Sequence, residues 1–349
     1  MKFTLVQFSG VVPVFLALTA NRRNMVRLVM KLSAVDMNLN PFGDNIYKKH
    51  KAKIFICLIS VTVFIIPTHG LLIYLWGRDD ILKDVTFNLA YFTGLINDME
   101  FVSIVMLLQE MLSLLNRRIE SVLINELRSR RTAPQTTAHV GGGKGYRCLT
   151  TSHFGSISEF LELPPDLQAL NTFNSVSTEA MYCQSKVTER IVNCRKIYSK
   201  LYSICCFVNC MYGFTLLLSI VTHIVCFVSD FNFAVLYMIT PYTREKEFVS
   251  RQEVIPFLAR SLTRALSIIT VTLPCQKASE EWQRCIDNIQ ELLLCTDQKD
   301  VIRQLNLFSN QLENNRIKFT ACGFFVVDLS LLTTLTGIIV TYIVLLAQI

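Results

Sequence analysis

Apolar stretches long enough to cross a bilayer as helices, about 20 residues each, recur from one end of the chain to the other. Six segments qualify: roughly Phe3–Ala20, Ile54–Trp76, Val85–Leu112, Leu201–Phe227, Val254–Cys275 and Ala321–Gln348. The first is interrupted by Gln7, Ser9, Gly10 and Pro13. A signal peptide with Lys2 as its basic flank is the alternative there, although Leu18-Thr19-Ala20 makes a poor cleavage site. Between spans the pattern changes twice. From Ser129 to Ser158 the chain turns polar and rich in Gly, Ser and Thr, including Gly141-Gly142-Gly143-Lys144-Gly145. No P-loop Lys-Ser/Thr pair follows, so this segment reads as a flexible loop and not a phosphate site. Over 278–320, in contrast, Trp282, Ile286, Ile289 and Leu293, then Val301, Leu305, Phe308 and Leu312, fall at helical spacing. Helices that leave the membrane with an apolar stripe pack on one another, on a neighbouring subunit or on the lipid surface.

The pattern predicts an all-α polytopic membrane protein. Its parts are transmembrane helices over 1–128, a flexible cytosolic loop over 129–197, transmembrane helices over 198–275, cytosolic amphipathic anchor helices over 276–320 and a last transmembrane helix over 321–349. Composition agrees: of 349 residues, 51% are hydrophobic and only 17% charged, against about 25% charged in soluble domains. The net charge of +7 is concentrated beside the apolar runs, which argues against a nucleic-acid surface. Its distribution gives the orientation. Segment 21–53 holds eight Lys/Arg against two acids, and 113–200 holds twelve basic residues. The loop 77–84 holds only Arg78 and Lys83, and in 228–253 three basic residues are outnumbered by Asp230, Glu245, Glu247 and Glu253. Segment 276–320 votes weakly, with six basic residues and seven acids. Basic-rich and basic-poor loops alternate, so both termini are expected outside. A seven-span receptor with a cytosolic C-terminus does not fit. The start within an apolar run suggests a further span upstream.

Polar residues inside the spans are the candidate chemistry. Along the last span Ser330, Thr334, Gly337, Thr341, Val344/Leu345 and Gln348 share one helical face. Such a stripe either lines a water-filled path or forms a packing seam in lipid. Asn97, Asp98 and Glu100 lie near the middle of the third span, with Tyr91, Phe92, Tyr74 and Trp76 near its outer end. Arg260 and Arg264, one helical turn apart, lie in the outer half of the fifth. Ionisable groups at such depth cost a few kcal/mol each and turn toward a partner or a cavity. They make either a polar ligand pocket open to the outside or a structural ion pair, and arginines can also snorkel. Asp328 is read as a helix start or an intersubunit contact. The five histidines are isolated, and no nucleophile elbow or zinc-helix motif occurs. The 12 cysteines are scattered without CxxC or zinc spacing and read as small buried hydrophobes or reduced thiols. Neither an enzyme nor a cofactor or metal site is expected.

The C-terminus, Thr341-Tyr342-Ile343-Val344-Leu345-Leu346-Ala347-Gln348-Ile349, resembles the signature of the insect gustatory receptors: Thr-Tyr, five hydrophobic residues, then Gln-Phe. Ile349 stands in place of the Phe. Phe319-Thr320-Ala321-Cys322-Gly323-Phe324-Phe325-Val326-Val327-Asp328 is similar to that family's approach to its last helix, as are Leu114-Leu115-Asn116-Arg117 and the run from Pro274-Cys275 to Glu281. The resemblance implies a seven-helix subunit with its N-terminus inside and its C-terminus outside, four of which form a ligand-gated cation channel in the plasma membrane of a sensory neuron. It implies a homotetramer, or a heteromer with related subunits, joined by the cytosolic helices. The last helix would line the pore through Thr334, Gly337 and Thr341, with Leu345 as the outer hydrophobic gate and Gln348 as a polar ring beside it. Asp98, Asn97, Tyr91, Arg260 and Arg264 would face a small-molecule tastant, a sugar or a bitter compound. The long 113–200 loop and Pro274-Cys275 are faintly similar to the fructose-receptor branch. Two other readings stay open: a secondary transporter using Asp98 and Glu100 as ion relays, although no internal repeat is visible, and a truncated, non-conducting modulatory subunit.

Overall fold

The computed structural model describes residues 24–39, 59, 70, 81–132, 165–239 and 254–347. Among them are six helices and one short hairpin: α1 (24–39), α2 (Ile81–Thr132), α3 (Pro165–Ile239), α4 (Val254–Cys295), α5 (Lys299–Asn314), β1 (Thr320–Ala321), β2 (Phe325–Val326) and α6 (Leu329–Ala347). The first two expected spans and the Gly-rich segment 133–158 lie outside the described residues, apart from the lone positions 59 and 70.

Length decides the architecture. α2, α3 and α4 have 52, 75 and 42 residues; at 1.5 Å per residue each runs beyond the ~30 Å hydrocarbon core. In α3 the stretch Ser185–Phe233 is long and apolar enough to cross a membrane, and Leu329–Tyr342 of α6 is a shorter apolar stretch. The protruding parts pack together. Buried residues of α3 recur at alternating three- and four-residue steps, Ile191, Cys194, Tyr198, Leu201, Cys205, Val208 and Tyr212, which keeps one seam facing its neighbours. α5 buries Val301, Leu305, Phe308 and Leu312, each contributing about 1.5–3 kcal/mol. α1 docks by Leu28, Leu32, Val35 and Leu39. Polar clasps hold the bundle in register. The Asn116 amide of α2 donates to the Glu281 backbone carbonyl (2.8 Å) and to its carboxylate (2.9 Å) on α4. The Trp282 indole N–H donates to the Leu312 carbonyl (3.3 Å), the Tyr198 hydroxyl to that of Asn315, and Arg195 to Gln304 (3.1 Å).

Three sequence expectations change. Residues 165–197, expected as part of the cytosolic loop, are helical and continuous with the span; towards the end of that stretch Ile191, Cys194 and Ile197 form an apolar seam that only the packing reveals. The anchor helix beginning near 278 is the continuation of the fifth span through Pro274, and the second one ends at Asn314. The last helix starts at Leu329 and not near Ala321. Residues 320–326 instead form the β1–β2 hairpin, pairing Thr320 with Val326 and Ala321 with Phe325. Its two central residues, Cys322 (φ 52°) and Gly323 (φ 78°), take the left-handed conformation that a tight hairpin turn needs. Asn209 of α3 clamps the hairpin like a third strand: its amide donates to the Lys318 carbonyl (2.7 Å) and its oxygen accepts the Thr320 N–H (3.1 Å). A Cβ at Gly213 would stand 3.1 Å from the Cys322 nitrogen, so glycine there lets the hairpin lie against α3.

Candidate functional site

Two polar clusters lie along the membrane half of α3, and both use residues the sequence reading left aside. Ser219, His223, Cys226 and Asp230 step by four, three and four residues, hence along one face. Beside Ser219 and His223, Asp98 of α2, 2% exposed, accepts a hydrogen bond from the Ser219 hydroxyl (2.6 Å) and lies 3.3 Å from His223 Nε2. Its second oxygen, Oδ1, and the side-chain oxygen of buried Asn97 have no hydrogen-bond donor among the described residues. Glu100, two residues further along α2, neighbours Tyr212. Towards the end of α3, Arg260 of α4 grips Asp230 with two nitrogens, Nε donating to Oδ2 at 2.9 Å and a terminal amino group to Oδ1. Its guanidinium also lies 5.3 Å from the ring of Phe257, which stacks on Phe233. Arg264 is buried within electrostatic reach of Asp230 and Cys226.

The five expected pocket residues are therefore divided. Asp98 and Asn97 keep unsatisfied acceptors inside the bundle. Arg260 is engaged by a carboxylate, as a structural ion pair would be. Tyr91 belongs to α2, but its side chain is outside the described residues. His223, taken as isolated, is the histidine that meets Asp98, and Asp230, counted as a loop acid, is the partner of Arg260. Their periodic spacing with Ser219 and Cys226 was the available signal.

The pore-helix candidates occupy α6. Asp328 starts it: Oδ1 accepts the Ser330 N–H at 3.0 Å and the Leu331 N–H at 3.4 Å, an N-cap that also places a carboxylate at the positive end of the helix. This is the helix-start role expected for it. Beyond the cap, Ser330, Thr334, Gly337 and Thr341 are all exposed, as are Thr333 and Thr336, while Leu335 is buried. The hydroxyls of Thr334 and Thr341 donate to the carbonyls one turn back, Ser330 (2.9 Å) and Gly337 (2.9 Å). A Cβ at Gly337 would meet nothing within 4 Å. Leu345 lies in the last turn with its side chain outside the described residues, and Gln348 lies beyond them.

A single family model, that of the 7tm chemosensory receptors, matches residues 3–349. The chain belongs to this family. It is thus a chemosensory receptor of the membrane-protein class, not an enzyme. A Drosophila melanogaster protein that bears the name gustatory receptor 28b is 30% identical over 105 residues, which are 30% of this chain. That match spans only 22% of the relative's length. The solved insect olfactory receptor OR5 of Machilis hrabei superposes with a TM-score of 0.59 at 12% identity, covering 100% of this chain and 82% of that one. The same receptor in complex with eugenol gives 0.61, also at 12% identity, over 98% of this chain and 79% of that one. At such identity the likeness concerns the fold. It supports the recognition from the C-terminal residues and the all-helical membrane class.

Proposed function

We propose that the chain is one subunit of a tastant-gated, non-selective cation channel of the plasma membrane, used for contact chemosensation. Four subunits, identical or related, surround a pore lined by α6. The carrying observation is the uncovered polar face of that helix: Ser330, Thr334, Gly337 and Thr341 have no cover from their own protomer. Of the two roles open to such a stripe, a pore wall is favoured by the family. The back-bonded hydroxyls present a weakly polar wall without fixed charge, suited to passing hydrated cations. Leu345, one turn past Thr341, is the proposed hydrophobic gate that blocks ions by dewetting, with Gln348 as the ring beside it.

The tastant site is proposed at Asp98 and Asn97. Two buried acceptors lacking donors are costly, by about 1–3 kcal/mol each, and a hydroxyl-bearing ligand removes that cost. Sugars and hydroxylated bitter compounds carry such donors; OR5 itself is known with eugenol. Arg260 and Arg264 then act at the rim, Arg260 through Asp230. The test is whole-cell current from cells expressing the chain, challenged with sugars and bitter compounds. Evoked cation currents are expected, with Asp98→Asn raising the half-maximal concentration about tenfold at unchanged surface delivery, as loss of one charged hydrogen bond predicts. Leu345→Ser should raise the ligand-independent current. Saturating, substrate-coupled uptake without channel currents would instead favour the transporter reading and overturn this one.

A further inference from the structure

Outside the membrane half, α2 and α3 enclose a groove of about 270 Å³ lined by Arg118, Ser121, Val122, Arg190, Asn193 and Cys194. Three features set it apart. Its donors are two guanidiniums and an amide, the Ser121 hydroxyl donating back to the Arg118 carbonyl (2.7 Å), and no carboxylate lines it. Arg118 is fixed in place by donating to the Leu39 carbonyl at the end of α1, leaving other N–H groups for a ligand. Neither Arg118 nor Arg190 meets a carboxylate among the described residues, although Glu281 and Asp230 elsewhere each hold an arginine. Two guanidiniums brought together without an acid repel one another and attract a dianion, and their planar forks match phosphate oxygens in pairs. The volume exceeds a bare phosphate and suits a phosphorylated ring.

We propose that this groove is a binding site for a phosphomonoester, held by Arg118 and Arg190 with Asn193 as an additional donor. The site is independent of the tastant cluster and of the pore. Its distance from the bilayer suits a lipid headgroup: Arg118 lies six residues past Leu112 and Arg190 eleven before Leu201, about 9 and 17 Å along their helices. The basic-rich side on which it falls also faces the anionic leaflet. A soluble inositol phosphate presents the same chemistry.

The experiment uses the purified full chain in phosphatidylcholine nanodiscs and a fluorescent inositol trisphosphate as probe. Saturable binding is expected, weakening with added salt. Arg190→Gln should weaken it at least tenfold, because that side chain is exposed and holds no other element together. Arg303→Gln, which removes the same charge from an exposed position of α5, should change it less than twofold. Arg118→Gln also releases Leu39 and serves only as a second variant. Displacement of the probe by phosphatidylinositol bisphosphate in the disc would support the site and assign the lipid source. Binding that such lipid leaves unchanged would support it with a soluble source. Absence of saturable binding by the probe, or equal loss in Arg190→Gln and Arg303→Gln, would overturn the proposal.

Discussion

Asp230→Asn is the perturbation whose outcome separates the two roles open to the Asp230–Arg260 cluster. Asp230 is 4% exposed and accepts two hydrogen bonds from Arg260, whose side chain is itself largely buried. Removing one partner of a buried pair leaves the other charge uncompensated and costs about 3–5 kcal/mol, whereas removing both is close to neutral. Asp230→Asn should therefore lower the melting temperature of the purified, ligand-free chain in nanodiscs by roughly 6–20 °C, at about 2–4 °C per kcal/mol. Arg260→Gln should do the same. The double variant should recover most of the loss, so the two single losses are far from additive in the cycle. A guanidinium kept only for ligand would behave differently: Arg260→Gln would leave ligand-free melting unchanged or raise it. Additive losses in the double variant, or a shift under about 1 °C in Asp230→Asn, would refute the ion-pair reasoning.

Asn116→Leu removes two interhelical hydrogen bonds, one of them to the buried Glu281 carboxylate; a loss of about 2–4 kcal/mol, read as melting temperature, is expected, and an unchanged value would refute the clasp. Cysteines placed at Thr334 or Thr341 should react with a charged thiol reagent and reduce evoked current, while Leu335→Cys on the buried face should not; equal reaction at all three would refute α6 as pore wall. Cys285 is fully buried in the bundle formed with α5, and burial pushes its thiol well above the ordinary range. A raised pKa keeps the unreactive protonated form through neutral pH and beyond, so maleimide at pH 7.4 should label exposed Cys322 and spare Cys285 until the chain unfolds. Labelling of Cys285 in the folded chain at the rate of Cys322 would show otherwise.

Much of the architecture is legible without coordinates because it rests on one-dimensional quantities. Span length against bilayer thickness yields the stretch of α3 that is long and apolar enough to cross a membrane. The 3.6-residue period yields the stripes Trp282, Ile286, Ile289 and Leu293, then Val301, Leu305, Phe308 and Leu312, all buried except the half-buried Leu293. The C-terminal signature leads to the family. The polar stripe of α6 and the cap at Asp328 are likewise local: both depend on residues within a few helical turns. What local pattern cannot determine is which partner a buried polar group meets. Asp98 and Arg260 look like two halves of one site in the sequence, yet each is engaged by α3, through Ser219 and His223 in one case and Asp230 in the other. Asn116 and Glu281, 165 positions apart, meet only because α2 and α4 pack side by side. The hairpin at 320–326 hides in an apolar run that also reads as helix, and the clamp by Asn209 and Gly213 selects it. Burial and helix period are properties of a segment; the pairing of charges and hydrogen bonds belongs to the space between segments, which only the tertiary structure decides.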